Sequence, residues 1–90
     1  MTEQEIRDTV LRALRNVAPE IDPATLSPGV PLREQVDIDS VDYLRVLVEL
    51  NEKVGVDIPE ADYARIATID QLVAYLVGRT GTARAGPPAG

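Results

Sequence analysis

Apolar positions recur at helical spacing in three stretches of this chain, and proline or glycine punctuates the gaps between them. From about Thr2 to Val17 the apolar set is Ile6, Val10, Ala13, Leu14 and Val17, with Glu5, Asp8, Arg12 and Arg15 opposite. That pattern predicts an amphipathic helix, stopped by Pro19. The second stretch, about Ser40 to Val54, puts Tyr43, Leu47, Leu50 and Val54 on one face. Val41, Leu44 and Val48 widen that face until only Asp42, Arg45, Glu49, Glu52 and Lys53 make a polar strip. A helix so apolar is expected to be buried on most sides and central to the fold, with Gly55 ending it. The third stretch, about Ile69 to Val77, carries Ile69, Leu72, Val73 and Leu76. Thr68 and Gln71 form a capping box before it, Asp70 suits the dipole, and Gly78 is the expected terminator.

Between the first two helices lies a long connection, Ala18 to Asp39, holding Pro19, Pro23, Pro28, Gly29 and Pro31. Its supply of Ile21, Leu26, Val30, Leu32 and Val36 predicts a loop pinned across the helices. Val56-Asp57-Ile58-Pro59 reads as extended, because a residue before proline is pushed out of the helical region. Glu60 to Arg65 fits one or two short helical turns. Beyond Arg79 nothing remains to bury, so residues 1–79 are expected to be one domain and 80–90 a disordered tail. The fold class is all-α, a four-helix bundle of three main helices and one short one.

Composition narrows the chemistry. The chain of 90 residues has no cysteine and no histidine, so disulfides, the usual zinc sites and the Ser–His or Cys–His pairs cannot be built. A reducing, cytoplasmic setting fits the missing cysteine. The acidic N-terminus lacks the apolar run of a secretory signal, and no stretch is long enough to span a membrane. Net charge is −6, and nine acidic residues against two basic ones concentrate between Glu34 and Asp62. The region therefore carries −7 and the remainder about +1. Nucleic acid is an unsuitable partner for such a surface, and a basic protein is a suitable one.

The junction of loop and second helix, Asp37-Ile38-Asp39-Ser40-Val41-Asp42, holds the candidate site. Taken alone, Asp39 reads as an N-cap with Asp42 supporting the first turn. A calcium loop does not fit: if Asp37 opened it, its glycine position would hold Asp42 and its closing glutamate Val48.

Asp39-Ser40-Val41-Asp42 resembles the Asp-Ser-Leu-Asp attachment motif of acyl carrier proteins. Leu32 and Val36 stand where that family places loop anchors, and Glu52 falls in the acidic end of its second helix. Ile58-Pro59-Glu60 is similar to its Ile-Pro-Asp/Glu turn, and Ile66-Ala67-Thr68-Ile69 to its approach to the last helix. The resemblance runs from Leu32 to Val77, while the first helix agrees in pattern only.

The resemblance implies a free-standing, monomeric carrier rather than an enzyme. Ser40 would receive 4′-phosphopantetheine from coenzyme A through a phosphopantetheinyl transferase. Thioesters on that arm, whether fatty acyl, polyketide or aminoacyl, would be presented to loading, elongating or transferring enzymes with basic docking surfaces. It also implies Asp39, Asp42, Arg45 and Glu52 as docking residues, and Val41, Leu44, Val48, Tyr63 and Ile66 as candidate lining of an acyl pocket. An unmodified helical interaction module is the alternative. Two departures stand out. Asp37 replaces the family's usual glycine, on the expectation that aspartate tolerates a left-handed turn. Arg45 sits where fatty-acid carriers are commonly acidic, with Asp42 or Glu49 as expected ion-pair partners, and Glu49 with Lys53.

Overall fold

The structure, a computed structural model, describes residues 2–80; among them it is helical, with no strand. Three long helices dominate: α1 (Glu3–Val17), α3 (Ser40–Val54) and α4 (Ile69–Thr80). One turn of helix, α2 (Leu32–Gln35), and two 3-10 segments, Pro23–Thr25 and Glu60–Arg65, lie in the connections. The expected all-α bundle is present. Among the described residues no helix is long and apolar enough to cross a membrane.

Helix α1 begins at Thr2, whose hydroxyl accepts from the Glu5 amide (3.1 Å) while Glu5 Oε1 accepts from the Thr2 amide (2.7 Å). This reciprocal cap uses two of the amides a helix start leaves without partners. Ile6, Val10, Ala13 and Leu14 are buried. Through them α1 packs against both α3 and α4, so α1 is the shared element, a place the apolar width of α3 had suggested for α3.

Helix α3 departs from expectation. Val46, Leu47 and Leu50 are buried, but Val41, Leu44 and Val48 stand 58%, 44% and 57% exposed. In a bundle this small, α1 covers one side of α3 and the segment after Gly55 another, and among the described residues nothing covers the third. Gly55 ends the helix at φ 78°, a left-handed conformation that glycine adopts without penalty.

The long connection is pinned as expected, and more structured. Ile21, Leu32 and Ile38 are buried, while Val30 faces outward. Gln35 clamps the loop, accepting from the Ser27 amide and donating to the Ser27 and Val30 carbonyls at 2.8–3.0 Å. Backbone bonds stitch it to the start of α4, from Leu32 to the Ala67 carbonyl (2.9 Å) and from Asp70 to the Pro28 carbonyl (3.1 Å). Leu32–Gln35 is thus a helical turn where unbroken loop was expected.

Val56 and Ile58 are buried in the extended segment that follows α3. At α4 the capping box forms, with Thr68 Oγ1 accepting from the Gln71 amide at 3.0 Å and Gln71 Oε1 from the Thr68 amide at 3.1 Å. Gly78 does not terminate this helix, which continues to Thr80. Asp62 explains the extra turn: its Oδ2 accepts from Tyr75 (2.6 Å) and from Arg79 (3.2 Å), and Arg79 lies 4.8 Å over the Tyr75 ring. That triad ties the end of α4 to the 3-10 helix Glu60–Arg65. It also pushes the Tyr75 phenol above its ordinary pKa, through the bond to Asp62. Thr80, placed in the expected tail, belongs to the helix, and the rest of that tail lies outside the described residues.

Candidate functional site

Ser40 is exposed and is the first residue of α3. Asp39, extended at φ −96° and ψ −176°, caps it, its Oδ1 accepting from the Asp42 amide at 2.9 Å. Among the described residues no acceptor meets the amides of Ser40 or Val41. Two free amides at the positive end of a 15-residue helix suit an anion bonded to the serine oxygen. The residues present therefore fit a phosphodiester at Ser40.

Asp37 reaches this point without the expected left-handed turn. No residue other than glycine has positive φ among those described, and the Ile38 amide donates to the Val36 carbonyl at 3.1 Å. That bond closes a three-residue turn about Asp37 with φ negative, a conformation open to any L-residue. Glycine's freedom is not needed there. Asp37→Gly should lower stability by about 0.4–1 kcal/mol, because glycine adds freedom to the unfolded chain. Urea unfolding of both proteins reads this, and a stability gain would mean the turn wants positive φ after all.

A cleft of about 580 Å³ opens beside Ser40, lined by Pro31, Leu32, Arg33, Tyr43, Leu44, Glu60, Tyr63, Ala64 and Ala67. It runs between α3, the turn α2 and the 3-10 helix. A smaller hollow of about 190 Å³ continues along α3 past Leu44, Leu47, Val48 and Tyr63. Of the candidate pocket residues, Leu44 and Tyr63 line both hollows and Val48 the smaller one. Val41 lines neither, and Ile66 is buried in the core. Sequence reading missed Leu32, Tyr43, Ala64 and Ala67 as lining, because they meet only when the loop folds over α3.

Tyr43 is half-buried, and its hydroxyl donates to the Ile66 carbonyl. Burial, with Tyr63 nearby, pushes its phenol up to about 12 from an ordinary value near 10. Because the folded value is the higher one, this contribution to stability is complete below about pH 10 and is lost as pH rises through about 12. Alkaline titration of phenolate absorbance should show a late component near 12 that Tyr43→Phe removes. An unchanged late component in that variant would reassign it.

The candidate docking residues spread over the outer side of α3. Asp39, Arg45 and Glu52 are exposed and Asp42 is partly covered. On the helical wheel Arg45 and Glu52 share one face with Val41, Leu44 and Val48, making a mixed apolar and charged stripe that starts beside Ser40. The expected pairs of Arg45 with Asp42 or Glu49, and of Glu49 with Lys53, do not form. Instead Asn16 of α1 donates to both Glu49 oxygens at 3.0 Å, drawing Glu49 toward α1 and leaving Arg45 outward.

Residues 4–76 match the family model described as phosphopantetheine attachment site. This chain belongs to the acyl carrier protein family. The carrier is 27% identical over 74 residues to the acyl carrier protein of Rubrobacter xylanophilus, covering 79% of this chain and 91% of that one. It is 31% identical over 75 residues to the meromycolate extension acyl carrier protein of Mycolicibacterium smegmatis (83% and 75% covered). The Mycobacterium tuberculosis protein of the same name is 30% identical over 76 residues, and the match spans 84% of this chain and 65% of that protein. The carrier bears 4′-phosphopantetheine covalently and is a carrier of acyl groups, not an enzyme. Its family works with a phosphopantetheinyl transferase and with biosynthetic enzymes.

Proposed function

We propose that this carrier holds its arm on Ser40 and presents acyl or related thioesters from there to partner enzymes. The observation that supports this most is the place of Ser40: exposed, first in a long helix, beside free amides and on the rim of an apolar cleft. Asp39 holds the helix start open as a cap, so the amides of Ser40 and Val41 remain available to an anion. The arm, once attached, supplies reach and a terminal thiol that carries the cargo as a thioester. Tethering raises the concentration of cargo at a docked partner's site. The family match over residues 4–76 supports reading residues 1–79, with the last turn to Thr80, as one carrier domain.

The outer stripe of α3 is the docking face in this reading. Exposed apolar residues in a row mark interaction sites, and here Val41, Leu44 and Val48 lie beside the attachment point. Asp39, Asp42 and Glu52 set them in a negative field that draws a basic partner. Arg45 in the middle of the row suits a partner with an acidic group at that spot. The leading cargo is acyl rather than aminoacyl, in keeping with relatives named for meromycolate extension. The absence of cysteine is in keeping with a cytoplasmic location. Intact-protein mass spectrometry of material from the native host tests the reading, since it reports arm and cargo together. A mass equal to the bare chain under conditions of active synthesis would count against it.

A further inference from the structure

Two of the three arginines on α1 are left without a countercharge. Arg7 reaches Asp70 of α4 at 2.8 Å, but among the described residues neither Arg12 nor Arg15 has an acidic partner. Both are exposed, and three positions apart they are neighbours on the helix surface. The carboxylates that flank them bond elsewhere. Asp8 Oδ1, one turn before Arg12, accepts from the Gln4 amide group at 3.0 Å. Glu49 of α3 reaches α1 next to Arg15, where Asn16 donates to both its oxygens at 3.0 Å. Asp22 turns back on its own segment to accept from the Ala24 amide at 3.0 Å, and with Glu20 it lines a different hollow. Two guanidiniums therefore keep their donor forks for something outside the domain.

Arg12 and Arg15 open on a hollow of about 400 Å³, in which Leu11, Pro19 and Pro23 supply apolar surface. Its walls are formed in advance. The prolines fix their own φ, and the 3-10 turn Pro23–Thr25 is tied by the Asp22 cap and by the Thr25 hydroxyl, which donates to the Asp22 carbonyl at 2.8 Å. Little order has to be imposed when a ligand arrives. We propose that this hollow is a second docking site, for a short acidic segment of a partner protein. An aliphatic side chain of that segment packs against Leu11, Pro19 and Pro23, and carboxylates on either side of it bond to Arg12 and Arg15. The sign of the charge separates this partner from the basic ones that suit α3. A long polyanion is not the occupant, because the −7 between Glu34 and Asp62 repels extended negative charge. None of the lining residues belongs to α3 or to the cleft beside Ser40, so both faces can be occupied together. The carrier then stays held by one protein while its arm visits another, at the raised local concentration that tethering gives.

The test titrates the isotope-labelled full chain at low salt with the capped peptide Gly-Glu-Leu-Glu-Gly, and with Gly-Gln-Leu-Gln-Gly as its neutral counterpart, following backbone amides by NMR. The glutamate peptide should shift the amides of Leu11, Arg12, Arg15 and Asn16 saturably. The glutamine peptide should bind at least about tenfold more weakly, since it lacks the charge-assisted bonds. Arg12→Glu with Arg15→Glu should abolish the shifts, and Arg12→Lys with Arg15→Lys, which keeps the charge but not the fork, should retain part of the affinity. Both positions are exposed, so the variants should fold, and the spread of amide signals reports it. Wild type saturated with the glutamate peptide should still take its arm from the transferase at an unchanged rate. Absent shifts, equal shifts with both peptides, or shifts that survive charge reversal overturn the proposal. So does an arm-transfer rate that falls in step with peptide occupancy, which would place the peptide on the face the transferase uses. The same shifts on concentrating the protein alone overturn it too, by assigning the hollow to the acidic face of a second copy.

Discussion

Ser40→Ala will take up no phosphopantetheine, while the wild type will be modified once, by the same transferase with coenzyme A and magnesium. The loss should be complete rather than graded, because the substitution removes the only oxygen at the first position of α3 to which the arm can be joined. Folding should be nearly untouched. Ser40 is exposed and the cap is made by Asp39, whose bond to the Asp42 amide survives the change. Alanine is also a better helix former than serine by a few tenths of a kcal/mol, so stability should hold or rise slightly. Intact mass and thermal melting give both answers from one preparation. Modification of the alanine variant, or a wild type refused by several transferases, would remove Ser40 from its assigned role.

Partner transfer should fall about tenfold in Val48→Asp, equivalent to about 1.4 kcal/mol, with stability changed by no more than about 0.5 kcal/mol. Val48 is 57% exposed, so the substitution interrupts the outer stripe of α3 without opening the core. Arg45→Glu should act differently. It adds two negative charges' worth of difference to an already acidic face, improving recognition by transferases adapted to acidic carriers and impairing the carrier's own partner. Charge acts on encounter, so the Arg45 effect should shrink as salt is raised, whereas the Val48 effect should persist. Transfer rates against ionic strength separate the two. Rates indifferent to salt and to both substitutions would leave the stripe as surface only.

The Val48 and Arg45 substitutions draw on a face whose residues were visible in the sequence and whose exposure was not. Val41, Leu44 and Val48 lie at helical spacing and read as core, since an apolar row looks the same whether another helix covers it or not. What distinguishes them is the supply of covering elements. Gly78 failed as a terminator for a similar reason: its backbone could have ended the helix, but Asp62 waits in space to hold Arg79 and Tyr75.

By itself the sequence determined the local decisions. Periodicity placed the three long helices, the Thr68–Gln71 box and the Asp39 cap marked two helix starts, and Gly55 marked an end, because caps and breakers act within a few residues. The attachment motif was equally legible, since its residues are contiguous. The tertiary structure alone decided which helix is shared, which apolar residues stay wet, and which side chains face Ser40 across the cleft. Those depend on contacts such as Tyr43 with Ile66 and Leu32 with Ala67, whose partners lie 23 and 35 positions apart in the chain. No window of helical period spans such distances, so only the folded chain brings the wall of the cleft to the serine.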